Sequence, residues 1–174
     1  MIYKLLLVVG LLFSSAVAQT KANKSGKINW KKSYKMALKA AKKENKPFLF
    51  IISRHTCKYC VVLEETALSD EKVIKTLNEN FITHTAYTDD GDYYPQELWQ
   101  GGTPMIWFLL PNGEPMFQPI PGAIPTEGFV EALDTVMKEF TVIEEEKNTC
   151  KVKYEALKKE NAALKKEIET LKKK

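Results

Sequence analysis

The chain has 174 residues, 44% of them hydrophobic, and its 26 basic against 22 acidic side chains leave a formal net charge of +4. That is enough apolar material for one ordinary domain, and the near-balanced charge, with no basic motif interleaved with aromatics or glycines, excludes a nucleic-acid partner. Residues 5–13 form an apolar run about half the ~20 residues a membrane-spanning helix needs, so no stable membrane anchor is expected.

The N-terminus reads as a signal peptide over residues 1–18: Lys4 gives the positive flank, Leu5–Phe13 the apolar core, and Ala16-Val17-Ala18 the cleavage site before Gln19. The protein is therefore expected to be exported, periplasmic or extracellular, where disulfides form and persist. Residues 19–143 carry 15 basic and 15 acidic side chains and read as one domain; residues 144–174, with 10 Lys and 7 Glu, have too few apolar residues to build a core and read as a separate tail.

Within the domain, Trp30, Tyr34, Ala37, Leu38 and Ala41 recur at helical spacing among lysines and predict a helix over 29–45, closed by Asn45 and Pro47. The run Phe48-Leu49-Phe50-Ile51-Ile52 predicts a strand buried on both faces. A helix bearing Cys57 and Cys60 follows, with Val61, Leu63, Ala67 and Leu68 inward, and then one capped by Ser69 that buries Val73, Ile74 and Leu77. Residues 81–87 predict a second strand, 89–92 a polar loop, 93–100 a short helix and 105–110 a third strand. Asn112-Gly113 turns that strand into a fourth at 115–119, and Thr126 caps a closing helix with Phe129, Val130, Leu133, Val136, Met137 and Phe140. Strands joined through helices, then a hairpin and a helix, make an α/β fold with a mixed sheet covered on both faces.

Cys57-Lys58-Tyr59-Cys60 carries the chemistry. Two thiols three positions apart at a helix start can close a small disulfide, and the helix N–H groups there stabilise the first sulfur as a thiolate. The pair alone also permits a structural disulfide, although so small a ring constrains little chain, or half of a zinc site completed by His55, His84 or Cys150. No second CxxC or HxxxH completes a metal cluster, and neither a metal nor a cofactor is expected.

Over residues 29–140 the chain resembles the thioredoxin superfamily, and its Lys46-Pro47-Phe48 segment and Gly101-Gly102-Thr103-Pro104 loop are similar to the exported thioredoxin-like group. The resemblance rests on a buried strand ending at Ser53, CxxC at a helix start, Thr103-Pro104 before the third strand, and Asn112-Gly113 before the fourth. It implies a thioredoxin fold and thiol:disulfide oxidoreductase activity: Cys57 attacks a substrate disulfide and Cys60 resolves the mixed disulfide. Lys58 and His55 would lower the Cys57 pKa, and the cis-proline loop, Thr103-Pro104, would keep metal off the sulfurs and offer backbone groups to a peptide. Two positions depart from the family: Thr56 stands where a Trp often precedes the first cysteine, and Ile51 replaces the buried acid that helps move a proton.

In the tail, Ile143, Cys150, Leu157, Leu164 and Leu171 fall at sevenfold spacing, with Phe140, Lys147, Tyr154, Asn161 and Ile168 at the other seam position. This predicts a leucine-zipper-like coiled coil that makes a parallel homodimer, favoured by Asn161 and by the pairs Glu160 to Lys165 and Glu167 to Lys172. Cys150, on the seam, is a candidate for an interchain disulfide against a buried reduced thiol. The expected protein exchanges disulfides with exported disulfide- or thiol-containing proteins, as reductase or isomerase, and draws on a redox partner protein. The reading from another class is a non-catalytic binding or scaffold protein dimerised by the same tail.

Overall fold

Phe48–Ser53 (β1) has all six residues buried, so both of its faces must be covered. It runs at the centre of a four-stranded sheet of order β2-β1-β3-β4, with β2 at Ile82–Tyr87, β3 at Met105–Leu109 and β4 at Ile120–Pro121. β2 lies parallel to β1 and the other two pairings are antiparallel. The computed structural model describes residues 26–173, so the expected signal peptide, residues 1–18, lies outside the described residues.

Alternation along the strands sends their side chains into two cores. Phe48, Phe50 and Ile52 of β1, with Met105, Trp107 and Leu109 of β3, pack against Tyr34, Ala37 and Ala41 of α1 (Tyr34–Glu44). Leu49 and Ile51, with Ile106 and Phe108, meet α2 (Lys58–Glu65), α3 (Glu71–Asn80) and α4 (Thr126–Leu171) through Leu63, Val73, Leu77, Phe129, Leu133 and Val136. This is the thioredoxin fold expected from the sequence.

Several expected element ends move, each for a local reason. α1 begins at Tyr34 and not near 29, because Ser33 accepts a hydrogen bond from the Met36 N–H at 3.3 Å and caps the helix there. Trp30 instead bridges to Thr83, and the Lys31 N–H donates to the Thr83 carbonyl at 2.8 Å, so this segment extends the sheet beside β2. Val61 is exposed, not inward, and α2 stops at Glu65; Ala67 and Leu68 are buried on a single 3-10 turn. The cap of α3 is Asp70, whose carboxylate accepts from the Val73 N–H at 3.0 Å, while the Ser69 hydroxyl donates to the Glu64 carbonyl.

The helix expected over 93–100 shrinks to one 3-10 turn at Gln96–Leu98. The Asn112-Gly113 turn does form, with Gly113 at φ +95, but the return strand is not continuous over 115–119. Pro115 bridges to Leu109 and the Met116 N–H donates to the Phe108 carbonyl at 2.9 Å, but the ladder lapses over 117–119, where Pro119 has no N–H to donate, and resumes at Ile120–Pro121. α4 starts at Thr126 behind Pro125, without a side-chain cap.

α4 is a single helix of 46 residues, roughly 70 Å long at about 1.5 Å per residue. Phe129, Leu133, Val136 and Phe140 are buried against the domain, and every described residue beyond Glu144 is exposed. β4 runs toward the end of the sheet where β1 finishes, so α4 starts there and exits at the opposite end. Glu144 marks that exit: its carboxylate accepts from the Asn45 side chain at 2.7 Å and pairs with Lys147 at 2.8 Å. Phe129→Ala, which empties a fully buried site in the larger core, is expected to cost about 3–5 kcal/mol in urea unfolding followed by near-UV and far-UV circular dichroism.

Candidate active site

The cysteines stand at the C-terminal end of β1, where Ser53 turns the chain through Arg54, His55 and Thr56 into α2. Cys57 is the N-cap of α2, and its sulfur accepts from the Cys60 N–H at 3.4 Å. Its thiol donates to the Thr103 carbonyl at 3.2 Å, so the Thr103-Pro104 loop, joined by a cis peptide bond, lies directly across from it. Cys60, one turn inward, is 1% exposed; Cys57 is half-buried, and both thiols are free.

These surroundings separate the two thiols electrostatically. Burial pushes Cys57 up, but hydrogen bonds from the Cys60 and Thr103 side chains and from the Cys60 and Tyr59 backbone outweigh it, and the thiol sits below its ordinary value. Burial and the hydrogen bond with Cys57 push Cys60 up, against smaller contributions from Ser53, the Arg54 backbone and Thr103. The outer sulfur is thus biased toward thiolate and the inner one toward thiol, the assignment that nucleophile and resolving group require.

His55 and Lys58 flank this pair differently from one another. Lys58 opens the first turn of α2 and is exposed. The His55 ring lies flat on Tyr87, centroids 4.0 Å apart and 9° from parallel, and its Nε2 is 3.0 Å from Asp90 Oδ2. The hydrogen bond to Asp90 raises the His55 pKa although solvation changes oppose it, and Asp89 and Glu64 add to the rise. The Asp89 carboxylate also accepts from the His55 N–H at 2.9 Å and tethers the loop before Cys57 to the end of β2. His84 is a packed residue: buried, stacked on Phe50, with Nδ1 2.8 Å from the Lys31 carbonyl. Cys150 is exposed on the far part of α4, away from the pair.

Sequence reasoning missed the group behind Cys60. The Tyr87 hydroxyl donates to Glu64 Oε1 at 3.0 Å, and burial with the nearby carboxylate pushes the Tyr87 pKa up to about 12. Glu64 follows Cys60 by four positions, a spacing that places both on one helix face and could have flagged it.

A dithiol at the N-terminus of α2, opposite a cis-proline loop at the end of the central strand β1, defines a protein built on the thioredoxin plan. The chain belongs to the thioredoxin-like domain family, whose family model matches residues 34–137. Among curated proteins it is similar to spermatogenesis-associated protein 20 of Rattus norvegicus, 31% identical over 96 residues, which are 51% of this chain and 12% of that protein. The Mus musculus counterpart is 29% identical over 89 residues, 41% of this chain and 11% of that protein, so the chain matches only a small part of these relatives.

Among solved structures, a thioredoxin from Thermus thermophilus superposes with a TM-score of 0.54 and 25% identity, over 63% of this chain and 87% of that one. A DsbH oxidoreductase also reaches 0.54, at 17% identity over 70% of this chain and 92% of the other, a likeness of fold alone.

Iodoacetamide labelling across pH is expected to modify Cys57 with an inflection below that of an ordinary exposed cysteine, and Cys60 only at higher pH. Peptide mapping by mass spectrometry separates both from the exposed Cys150. Parallel labelling of Cys57 and Cys60 would contradict the separation.

Proposed function

We propose that the protein is an exported thiol:disulfide oxidoreductase acting on exported proteins, as reductase or isomerase, with a separate redox partner protein restoring its cysteines. The observation that carries this reading is the asymmetry of the pair: a half-exposed Cys57 below its ordinary pKa and a buried Cys60 above it, facing the Thr103 carbonyl. The likeness to a thioredoxin at 25% identity supports it.

In this mechanism the Cys57 thiolate attacks one sulfur of a substrate disulfide, forming a mixed disulfide and releasing the other substrate sulfur as a thiolate. Cys60 then gives up its proton and attacks Cys57. The Cys57–Cys60 bond forms, the Cys57–substrate bond breaks, and two electrons have passed to the substrate. Thr103 and Pro104, across from Cys57, line the approach of the substrate backbone. Lys58 and protonated His55 favour the thiolate through their charge, His55 at longer range because Asp90 holds its ring. The N-terminal segment 1–18 supports export to the periplasm or beyond.

The exposed length of α4 supports a coiled-coil tail over 144–174 and a parallel homodimer. Leu157, Leu164, Ile168 and Leu171, each at least half exposed, continue the heptad stripe by which Leu133, Val136 and Phe140 pack inside the domain. An isolated solvated helix of this composition is marginal, which favours a second copy on the seam. The same seam is what favours the alternative, a scaffold protein that presents the fold without catalysis. Cys57 chemistry separates the two.

Cys57→Ser is expected to reduce insulin-disulfide reduction and thiol oxidation to background; retained turnover would overturn the enzyme. The unaltered chain is expected to sediment as a dimer and Leu157→Lys with Leu164→Lys as a folded monomer. On non-reducing electrophoresis the dimer band should vanish in Cys150→Ser.

A further inference from the structure

Resolution of a mixed disulfide requires Cys60 to lose a proton, and burial opposes its ionisation. The position at which the resemblance places a buried acid holds Ile51, which is 1% exposed and offers no acceptor. Ile51 nonetheless lines a cleft of about 400 Å³ together with Cys60, Ser53, Glu64 and Tyr87. That volume is ample for water to join the polar groups along its wall.

We propose that Glu64, held in place by the Tyr87 hydroxyl, takes the proton of Cys60 through this cleft as Cys60 attacks the mixed disulfide; the proposal rests on the exchange reading above. Glu64 follows Cys60 by one helical turn, so its carboxylate and the inner sulfur share one face of α2. Tyr87 enters from β2 because the parallel register sets it beside Ser53. It donates to Glu64 Oε1 at 3.0 Å, and the His55 ring stacked at 4.0 Å keeps its own ring from turning away. Tyr87 stays a neutral donor at physiological pH, so it orients the carboxylate without competing for the proton.

The step balances. The Cys60 S–H proton passes to Glu64, the Cys60–Cys57 bond forms, and the electron pair of the Cys57–substrate bond leaves on the substrate sulfur. The carboxylic acid then returns its proton to solvent or to the departing thiolate. The titratable groups around Glu64 are Cys60 on its own helix, Tyr87 on β2, Lys27 on the N-terminal segment at the cleft, and His55, with Asp90 beyond it, on the loop before α2. The 3-10 turn after α2 adds only the Ser69 hydroxyl, on the Glu64 backbone carbonyl. The missing strand acid is thus replaced from the helix side of the same cleft.

Stopped-flow reaction of the reduced chain, in a Cys150→Ser background, with a chromogenic aromatic disulfide separates the steps. One coloured thiolate leaves when Cys57 attacks and a second when Cys60 closes the ring. In Glu64→Gln the second phase is expected to slow by about tenfold or more near neutrality and to climb with pH as hydroxide replaces the carboxylate. The first phase should change far less, because Glu64 bears on Cys57 only through its small contribution to the His55 pKa. Tyr87→Phe, which keeps the carboxylate and frees its orientation, should slow the second phase less. A second phase of unaltered rate and pH profile in Glu64→Gln would overturn the proton role while leaving the exchange reading intact. If the parent protein releases no first thiolate from Cys57, the exchange reading falls and the proposal with it.

Discussion

The burial of β1 on both faces is the constraint from which the rest follows. A strand with Phe48, Leu49, Phe50, Ile51 and Ile52 all withdrawn from water cannot lie at an edge or face solvent. It needs a strand on each side and helices above and below, and β2, β3, α1 and the α2–α3–α4 layer supply them. Once the strand is fixed, the chain leaves it at Ser53, and the turn into α2 can lie only at one place on the molecule. Thr103 reaches the same place because β3 runs antiparallel to β1 and begins beside Ile52. The sulfur and carbonyl that meet across 3.2 Å are 46 positions apart in sequence, and the sheet register brings them together.

That placement sets a difference between near neighbours. Cys57 and Cys60 are separated by one helical turn, yet one stands at the helix end among donors and the other is buried beside the end of β1. Hydrogen bonds can lower a thiol only where donors are unspent, and the start of a helix is where backbone N–H groups are unspent. Burial does the opposite to its partner. The loop carrying them is itself held, through Asp89 on the His55 backbone and Asp90 on the His55 ring, to the segment that follows β2.

What was legible in the sequence was whatever a local pattern encodes. An unbroken apolar run specified β1, helical spacing specified the inward faces of α3 and α4, and the cysteine spacing placed both thiols at the start of a helix. What escaped depended on tertiary competition. Trp30 fits a helical stripe, but pairing with Thr83 claims its segment for the sheet. Ser69 and Asp70 are both good caps, and the choice goes to Asp70 because Ser69 is occupied by the Glu64 carbonyl. The return strand after Asn112-Gly113 lapses around Pro119, whose missing N–H matters only once the pairing register is known. Glu64 and Tyr87 lie 23 positions apart and meet only because Ser53 and Tyr87 are register partners.

The unbroken passage of α4 from the core into its exposed length has a mechanical consequence. With no hinge residue at Ile143 or Glu144, and with Glu144 stapled to Asn45, the domain and the outer helix share one rotational phase. Each residue of an α-helix turns the axis by about 100° and advances it about 1.5 Å. Inserting or deleting a single residue past Glu144 would therefore swing the exposed stripe of Leu157, Leu164 and Leu171 around the axis relative to the cysteines, whereas a whole heptad would nearly preserve their mutual bearing. The length of this helix is thus an angular setting as much as a distance, and it determines which way the dithiol faces when the far end is held.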